Sequence, residues 1–333
     1  MILQNRRRSL LTAAFLVGAL IIGLVVALAV GDYQMTSDEF LRAVFGRGEG
    51  TAQFLVQEAR APRALTAVGV GAAFALSGAV FQAIVRNPLG TPELIGFTQG
   101  SSAGAVAGIT LAGATGMTLT GWALAGGICT ALAVWFFAFR RNALGYRLVI
   151  VGIGIGAMLN ALTWWLLTRA NLATAQSAMS WLIGTLSART WGHVAVVSIA
   201  FALLVVPLAM AGRTLRVLEM GDGTATGLGV RVPRATAALV ALAVALCAVA
   251  VSQAGPVPFI ALAAPQIARR LARTPGVTLL NSALLGGLLL LISDLVAQHV
   301  WPGKVLPVGV VTGLIGGAYL SWLLATTSKS APR

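Results

Sequence analysis

Arg60 and Arg63 stand three apart in EARAPRALTAVGVG, residues 58–71, on one face of an expected helix. Each guanidinium fork can take a carboxylate through two parallel N–H···O bonds, so the pair has the chemistry of a docking site for acidic side chains. The same pair also suits snorkelling at a membrane surface, stems on apolar neighbours and heads in water. A second polar stretch, GRTLRVLEMGDGTATGLGVRV at residues 212–232, lies between two uninterrupted apolar runs. Gly221, Gly223, Gly227 and Gly229 can divide it into two short helices, and Leu215, Val217, Leu218 and Met220 can supply an apolar side. A solvated loop has no use for that side, whereas a surface on which another protein packs does. The third stretch is VRNPLGTPELIGF, residues 85–97, where Asn87-Pro88 and Thr91-Pro92 are turn signals between two helices. Arg86 suits the C-terminus of the first helix and Glu93 the first turn of the second.

None of these groups points to covalent chemistry. The sequence has no G-x-x-x-x-G-K-[ST] phosphate loop and no H-E-x-x-H. An ATP-driven role would therefore borrow its motor. Asp294 is the one acid placed within an apolar run, about a turn from the outer end of its helix, where it pairs locally or reaches water. His193 stands near a run boundary and His299 outside one. Cys129 and Cys247 both lie inside apolar runs and read as small core residues, with no disulfide or metal framework implied.

The elements that must position these residues are membrane helices. Of 333 residues, 58% are hydrophobic and 10% charged, against about 25% charged in soluble domains; mean hydropathy is +0.89. Charge-free runs such as Ser9–Gly31, Ala64–Val85, Leu148–Thr168, Thr190–Gly212 and Val305–Ser328 each fit one crossing, and Leu94–Phe139 fits two. The first run follows a basic start and contains an A-x-A at Ala27–Ala29, but it is about twice the length of a signal-peptide core, so it reads as an uncleaved first helix. Ala235–Ala268 is too long for one helix and short for two. Gly255, Pro256 and Pro258 break it, leaving a span at 235–253 and a stub at 256–268 of roughly 20 Å.

Charge decides whether the stub crosses. With ten crossings and the N-terminus inside, sixteen of the 23 Lys and Arg face the cytoplasm, among them Arg86, Arg213, Arg216, Arg269 and Lys329. Arg42, Arg47, Arg60, Arg63, Arg169, Arg189 and Lys304 face outward. A stub that dips and returns would split the charges 12 to 11. The positive-inside rule selects ten crossings with both termini cytoplasmic, and it assigns the net charge of +14 to membrane orientation, with no nucleic-acid partner. Residues 212–234 then face the cytoplasm, and RANLATAQSAMSWLIGTLSAR at 169–189 reads as an amphipathic piece at the outer interface. Small-residue stretches such as GVGAAFALSGAV and GSSAGAVAG read as close helix packing.

Four ordered segments, RAPRALTAVGVGAAFALSGAVFQAIVRNPLGTPELIGFTQGSSAG, VLEMGDGTATGLGV, GPVPFIALAAPQIARRL and LPVGVVTGLIGGAYLSWLL, resemble the permease family of iron-siderophore, haem and vitamin B12 ABC importers. Within it the chain is most similar to the ferric-enterobactin type. The resemblance implies an all-α polytopic fold of ten transmembrane helices with a short eighth, a type II importer permease in one transmembrane domain over residues 1–333. It implies that residues 213–231 are coupling helices seated in an ATPase cleft, with Leu215, Arg216, Leu218, Glu219, Met220, Gly221, Asp222, Ala225, Leu228 and Gly229 as the coupling surface. Arg86, Asn87, Pro88 and Leu89 become the neighbouring cytoplasmic turn, and Arg60 and Arg63 the site where acidic residues of a binding protein dock. The implied partners are a cytoplasmic ABC ATPase dimer, a second and related permease subunit, an extracytoplasmic siderophore-binding protein and membrane lipid. No cofactor is expected on this chain; ATP and Mg belong to the partner ATPase. The expected location is the bacterial inner membrane. Two positions depart from the family: Gln266 stands where relatives carry His, and Gln298, with His299 and Lys304 nearby, where some carry a further docking Arg. A haem or cobalamin permease remains the near alternative and an ion-driven secondary transporter the distant one, disfavoured by the shortage of intramembrane acids.

Overall fold

A computed structural model of the chain describes residues 2–31, 33, 35–48, 50–93, 96–139, 144–274, 276–301 and 303–327. Arg140, Arg141, Lys329 and Arg333, counted above as cytoplasmic, lie outside them. The described chain is helical, without strands: α1 (Ile2–Ala29), α2 (Ser37–Val44), α3 (Gly50–Phe54), a π-helical turn at Leu55–Arg60 running into α4 (Ala61–Val85), α5 (Phe97–Ala112), α6 (Gly116–Phe139), α7 (Leu144–Arg169), α8 (Leu172–Leu182), α9 (Trp191–Met210), α10 (Gly212–Glu219), α11 (Asp222–Gly227), α12 (Val232–Ala254), α13 (Ile260–Ala272), α14 (Leu279–His299) and α15 (Val308–Thr327). Among the described residues seven helical stretches are long and apolar enough to cross a membrane: those containing α1, α4, α6, α7, α9, α12 and α14.

Helix α4 is the axis of the bundle. It packs on α14, α12, α13 and α9, and its residues from Val70 to Ala83 are buried without a break. Small side chains make this possible. A Cβ on Gly71 would collide with the carbonyl of Gly286 in α14, and one on Gly78 with the carbonyl of Ala261 in α13. Backbones therefore touch directly, which is how membrane helices gain dispersion contact where lipid leaves little hydrophobic drive between them. Phe74 and Phe81 fill the remaining volume and are fully buried. Ser77 Oγ donates to the Ala243 carbonyl at 2.7 Å and Gln82 Nε2 to the Leu262 carbonyl at 3.0 Å, so these two donors of α4 find partners inside the bundle.

A similar crossing joins α5 and α6. Gly100, Gly104 and Gly108, four apart, lie against Gly126, Trp122 and Thr130. The stretch GSSAG at 100–104 also fits the G-x-S-x-G hydrolase pattern, but it runs through a helix where that chemistry needs a strained strand-to-helix turn. Its glycines serve packing. By contrast α1, α6, α7 and α9 bury less than a third of their apolar windows. Cys247 is buried as expected, whereas Cys129 lies on the exposed face of α6, because a helix with one packed stripe leaves the other positions to lipid.

The long run at 235–268 divides at its prolines. Helix α12 ends at Ala254, Gly255 and Phe259 take positive φ of 73° and 68°, and α13 is a 13-residue helix with Arg269 and Arg270 in its last turn. Cations there suit the negative helix end, and Arg270 also lies 5.4 Å from the Trp322 ring. Helix α8 and the turn after it do more than rest at an interface. Ala178, Trp181 and Leu186 are buried, Thr185 N–H donates to the Ala254 carbonyl at 2.7 Å, and Gly184 lies against Pro256. Together they wedge the α12–α13 break.

Glu93 does not open a helix either. Residues 86–93 run back into the bundle beside α4. The Phe97 ring stacks 5.7 Å from that of Phe81, Gly90 lies against Phe81 and Val85, and Gly96 touches Gly152 and Gly156 of α7.

The backbone contact at Gly78 sets a measurable expectation. Gly78→Ala should cost about 1–3 kcal/mol through overpacking and lower the melting temperature of the detergent-purified protein. Gly18→Ala, whose Cβ meets nothing within 4 Å, should leave it unchanged or slightly higher.

Candidate functional site

Two polar regions cap the bundle at opposite ends of α4. At one end the chain leaves α9 through Ala211 into α10, turns at Gly221 with φ 109°, a conformation open in practice to glycine, and enters α11. Leu215, Leu218 and Ala225 face inward at 1%, 3% and 0% exposure and belong to the core. Arg216, Asp222 and Gly229 are exposed, as are Met220 and Leu228, at 66% and 63%. The apolar residues of this stretch thus divide: the leucines of α10 anchor it, and Met220 and Leu228 are presented outward.

The two short helices are braced from both sides. Arg86 caps α4 in the left-handed conformation, φ 51°; its Nε donates to the Leu218 carbonyl at 3.3 Å and its guanidinium pairs with Asp222. Arg86 therefore serves the neighbouring helices more than the end of its own. Asn87 Oδ1 accepts from Leu89 N–H at 2.9 Å, and the Pro88 carbonyl accepts from Gln266 Nε2 at 2.7 Å. On the far side, Glu219 Oε2 accepts from Val277 N–H at 3.2 Å, before α14. Burial raises the Glu219 carboxyl above its ordinary range, against the opposing pull of that bond and of Arg269 and Arg216.

At the other end, Arg60 donates to the carbonyls of Leu28, Ala29 and Tyr33 at 2.8, 3.1 and 3.3 Å, closing the C-terminus of α1. Arg63 forms a two-pronged ion pair with Asp294 of α14, both bonds 2.8 Å. Asp294 is buried and the Arg63 side chain is 16% exposed. Asp294 thus pairs across 231 residues of sequence and not with local groups alone. Gln298 completes the cluster by donating to Asp294 Oδ2 at 2.9 Å. Arg189 lies close by; burial first, and then the charge of Arg63, pulls its guanidinium down to about 10, still protonated at neutral pH. His193 is buried with Nε2 unpartnered among the described residues. Among those residues no three His, Cys, Asp or Glu side chains gather as a metal site. A groove of ≈ 420 Å³ between α6 and α12, lined by Phe97, Ile128, Trp135 and Val244, is apolar.

This architecture and these four ordered segments coincide with known proteins along almost the full chain. Residues 19–326 match the FecCD transport family. The chain belongs to that family. The ferric enterobactin transport system permease protein FepG of Escherichia coli (strain K12) is 41% identical over 97% of this chain and 98% of its own length. The achromobactin transport system permease protein CbrC of Dickeya dadantii (strain 3937) is 35% identical over 90% and 87%. Among solved structures, a metal-chelate type ABC transporter in an inward-facing conformation superposes with a TM-score of 0.85 at 27% identity, covering 94% of this chain and 98% of that one.

As a FecCD protein the chain is a multi-pass membrane permease, a translocation component. Its motifs gave away Arg60, Arg63, Arg86 and the 212–232 stretch. They did not give away the partners: Asp294 meets Arg63 from a distant element, Gln298 bonds Asp294 in turn, and no local spacing encodes that meeting. The one available signal was Asp294 itself, an acid in an apolar run that had to find a cation.

Two outcomes are expected. Asp294→Ala should cost on the order of 3–5 kcal/mol by stranding Arg63, while replacing both Arg63 and Asp294 by Met should cost far less, as read from thermal unfolding in detergent. For Glu219, the folded state holds its proton to higher pH than the unfolded chain, so ionisation lowers stability as pH rises above the ordinary 4.5. Glu219→Gln keeps an acceptor for Val277 N–H, and its melting temperature should gain on the wild type as pH rises from 4.5 to 8.

Proposed function

We propose that this chain is the permease subunit of an ATP-driven importer in a bacterial inner membrane, carrying a ferric siderophore of catecholate, enterobactin-like class from an extracytoplasmic binding protein to the cytoplasm. Membership of the FecCD family supports the importer, and the 41% identity to the enterobactin permease along both chains supports the cargo class. The ten crossings are α1, α4, α5, α6, α7, α9, α12, the short α13, α14 and α15, with both termini cytoplasmic; the distribution of Lys and Arg supports this orientation. A second, related permease subunit completes the translocation path, and an ATPase dimer supplies ATP hydrolysis with Mg.

The observation that carries the reading is the α10–α11 surface. Two short helices held rigidly from behind by Arg86 and Glu219 present Met220 and Leu228 outward beside Arg216 and Asp222. In this reading an ATPase cleft receives them. Arg60 and Arg63 guide the binding protein to the outer end of α4. Among the described residues Asp294 offsets one charge where Arg63 and Arg189 bring two, which supports attraction of acidic side chains. Transport then rests on unequal binding of each partner to the outward-open and inward-open states.

Affinity purification from membranes in mild detergent, with companions identified by mass spectrometry, tests this. Wild-type chain should bring down an ABC ATPase and a related permease. Met220→Glu combined with Leu228→Glu should lose the ATPase yet remain monodisperse. Unchanged ATPase recovery by that variant would refute the docking surface. Wild-type protein that never recovers an ATPase would favour the ion-driven alternative, and uptake of haem or cobalamin instead of ferric enterobactin would correct the cargo.

A further inference from the structure

Glu93 is an acid without an obvious reason to be where it is. The segment that carries it leaves the coupling end of α4 and folds inward, bringing its carboxyl toward the backbone N–H of Phe259, the residue that precedes α13. The second oxygen, Oε1, is buried and has no hydrogen-bond partner among the described residues. Phe259 lies a full α13 length, roughly 20 Å, from the arginine-bearing end of that helix. An acceptor is needed here: the first N–H groups of a helix have no intrahelical partners, and inside a membrane bundle water is not freely available. A carboxylate also suits the positive helix end.

The same short segment is held at two further points. Arg86, at its start, binds the Leu218 carbonyl and Asp222 on the α10–α11 surface. Pro88, next but one, accepts from Gln266 in the middle of α13. Eight residues of chain, 86–93, therefore run from the coupling helices to the middle of α13 and on toward its buried end. Gln82, in the last turns of α4, donates to the Ala261 and Leu262 carbonyls and fixes the first turn of α13 beside it.

We propose that residues 86–93 are a strap that transmits movement of the coupling helices to α13, with Glu93 and Gln266 as its positioning residues. This rests on the importer reading above. A displacement of α10–α11 pulls on Arg86, and a strap anchored by Glu93 and Gln266 moves α13 with it. With an anchor gone, the ATPase still docks and turns over, but its work no longer reaches the bundle. A cap that matters only for folding predicts something different: loss of folded protein with no change in efficiency of what remains.

The experiment uses the complete importer, with ATPases, partner permease and binding protein, reconstituted in proteoliposomes. It reads radio-iron-labelled ferric enterobactin imported per ATP hydrolysed for wild type, Glu93→Ala, Glu93→Gln, Gln266→Leu and the Glu93→Ala/Gln266→Leu double variant. Glu93→Ala and Gln266→Leu should each keep ATP hydrolysis within about twofold while import per ATP falls about tenfold or more, within the range of coupling energies between sites. Glu93→Gln, which keeps an oxygen for Phe259 N–H, should retain most of the wild-type ratio. The double variant should be no worse than the poorer single one, since both anchors act through one strap. Unaltered import per ATP in either Glu93→Ala or Gln266→Leu overturns the proposal. So does failure of both to accumulate folded while Glu93→Gln behaves as wild type, because the contacts would then be structural only. If the wild-type complex recovers an ATPase but imports haem or cobalamin, the ratio is read with that cargo and the strap stands or falls on it. If wild type recovers no ATPase, the importer reading fails and the strap fails with it.

Discussion

Direct contact between the backbones of α4 and its neighbours is the constraint on which the rest depends. At Gly71 against Gly286 and at Gly78 against Ala261 there is no room for a side chain. That closeness sets the positions of α14 and α13 relative to α4. It also removes water from their shared faces, which decides how polar groups there must behave. In such surroundings an unpaired donor or charge costs several kcal/mol, and three of the polar side chains there are tied to partners within the bundle. Ser77 and Gln82 take backbone carbonyls, and Arg63 takes Asp294.

Helix α4 also joins the two functional ends. It carries Arg63 near its start, clamped to α14, and ends at Arg86, clamped to α10 and α11. The 23 steps from Arg63 to Arg86 span about 35 Å at 1.5 Å per residue, so one rigid rod reaches from the arginine cluster at its start to α10 and α11. Rigid seating at both ends suits a protein that alternates between two states, because packed interfaces switch between discrete arrangements and do not deform smoothly. Arg60 and Arg63 are therefore structural groups. Their forks hold α1 and α14 to the start of α4.

Much of this was legible in the residues. Apolar run lengths gave the membrane helices, Gly255, Pro256 and Pro258 gave the α12–α13 break, and the glycines of 212–232 gave two short helices, observed at Gly212–Glu219 and Asp222–Gly227. The ordered motifs gave the family. Other readings needed the structure: Cys129 faces outward, the 171–190 segment wedges the break, and Glu93 turns inward to Phe259. Local patterns reach three or four residues along a helix, and none of these contacts is so close in sequence.

By itself, then, the sequence determined which segments are helices, which of them suit lipid, and which polar stretches had to lie outside the bundle. Those are consequences of hydrophobicity, backbone propensity and charge, and each residue carries them wherever the chain goes. Which acid meets which arginine, which leucines of the coupling stretch are buried while Met220 and Leu228 are shown, and what lies opposite Glu93 were decided by tertiary structure alone. Such pairings depend on the separation and rotation of whole helices, and those are set by the glycine crossings acting together.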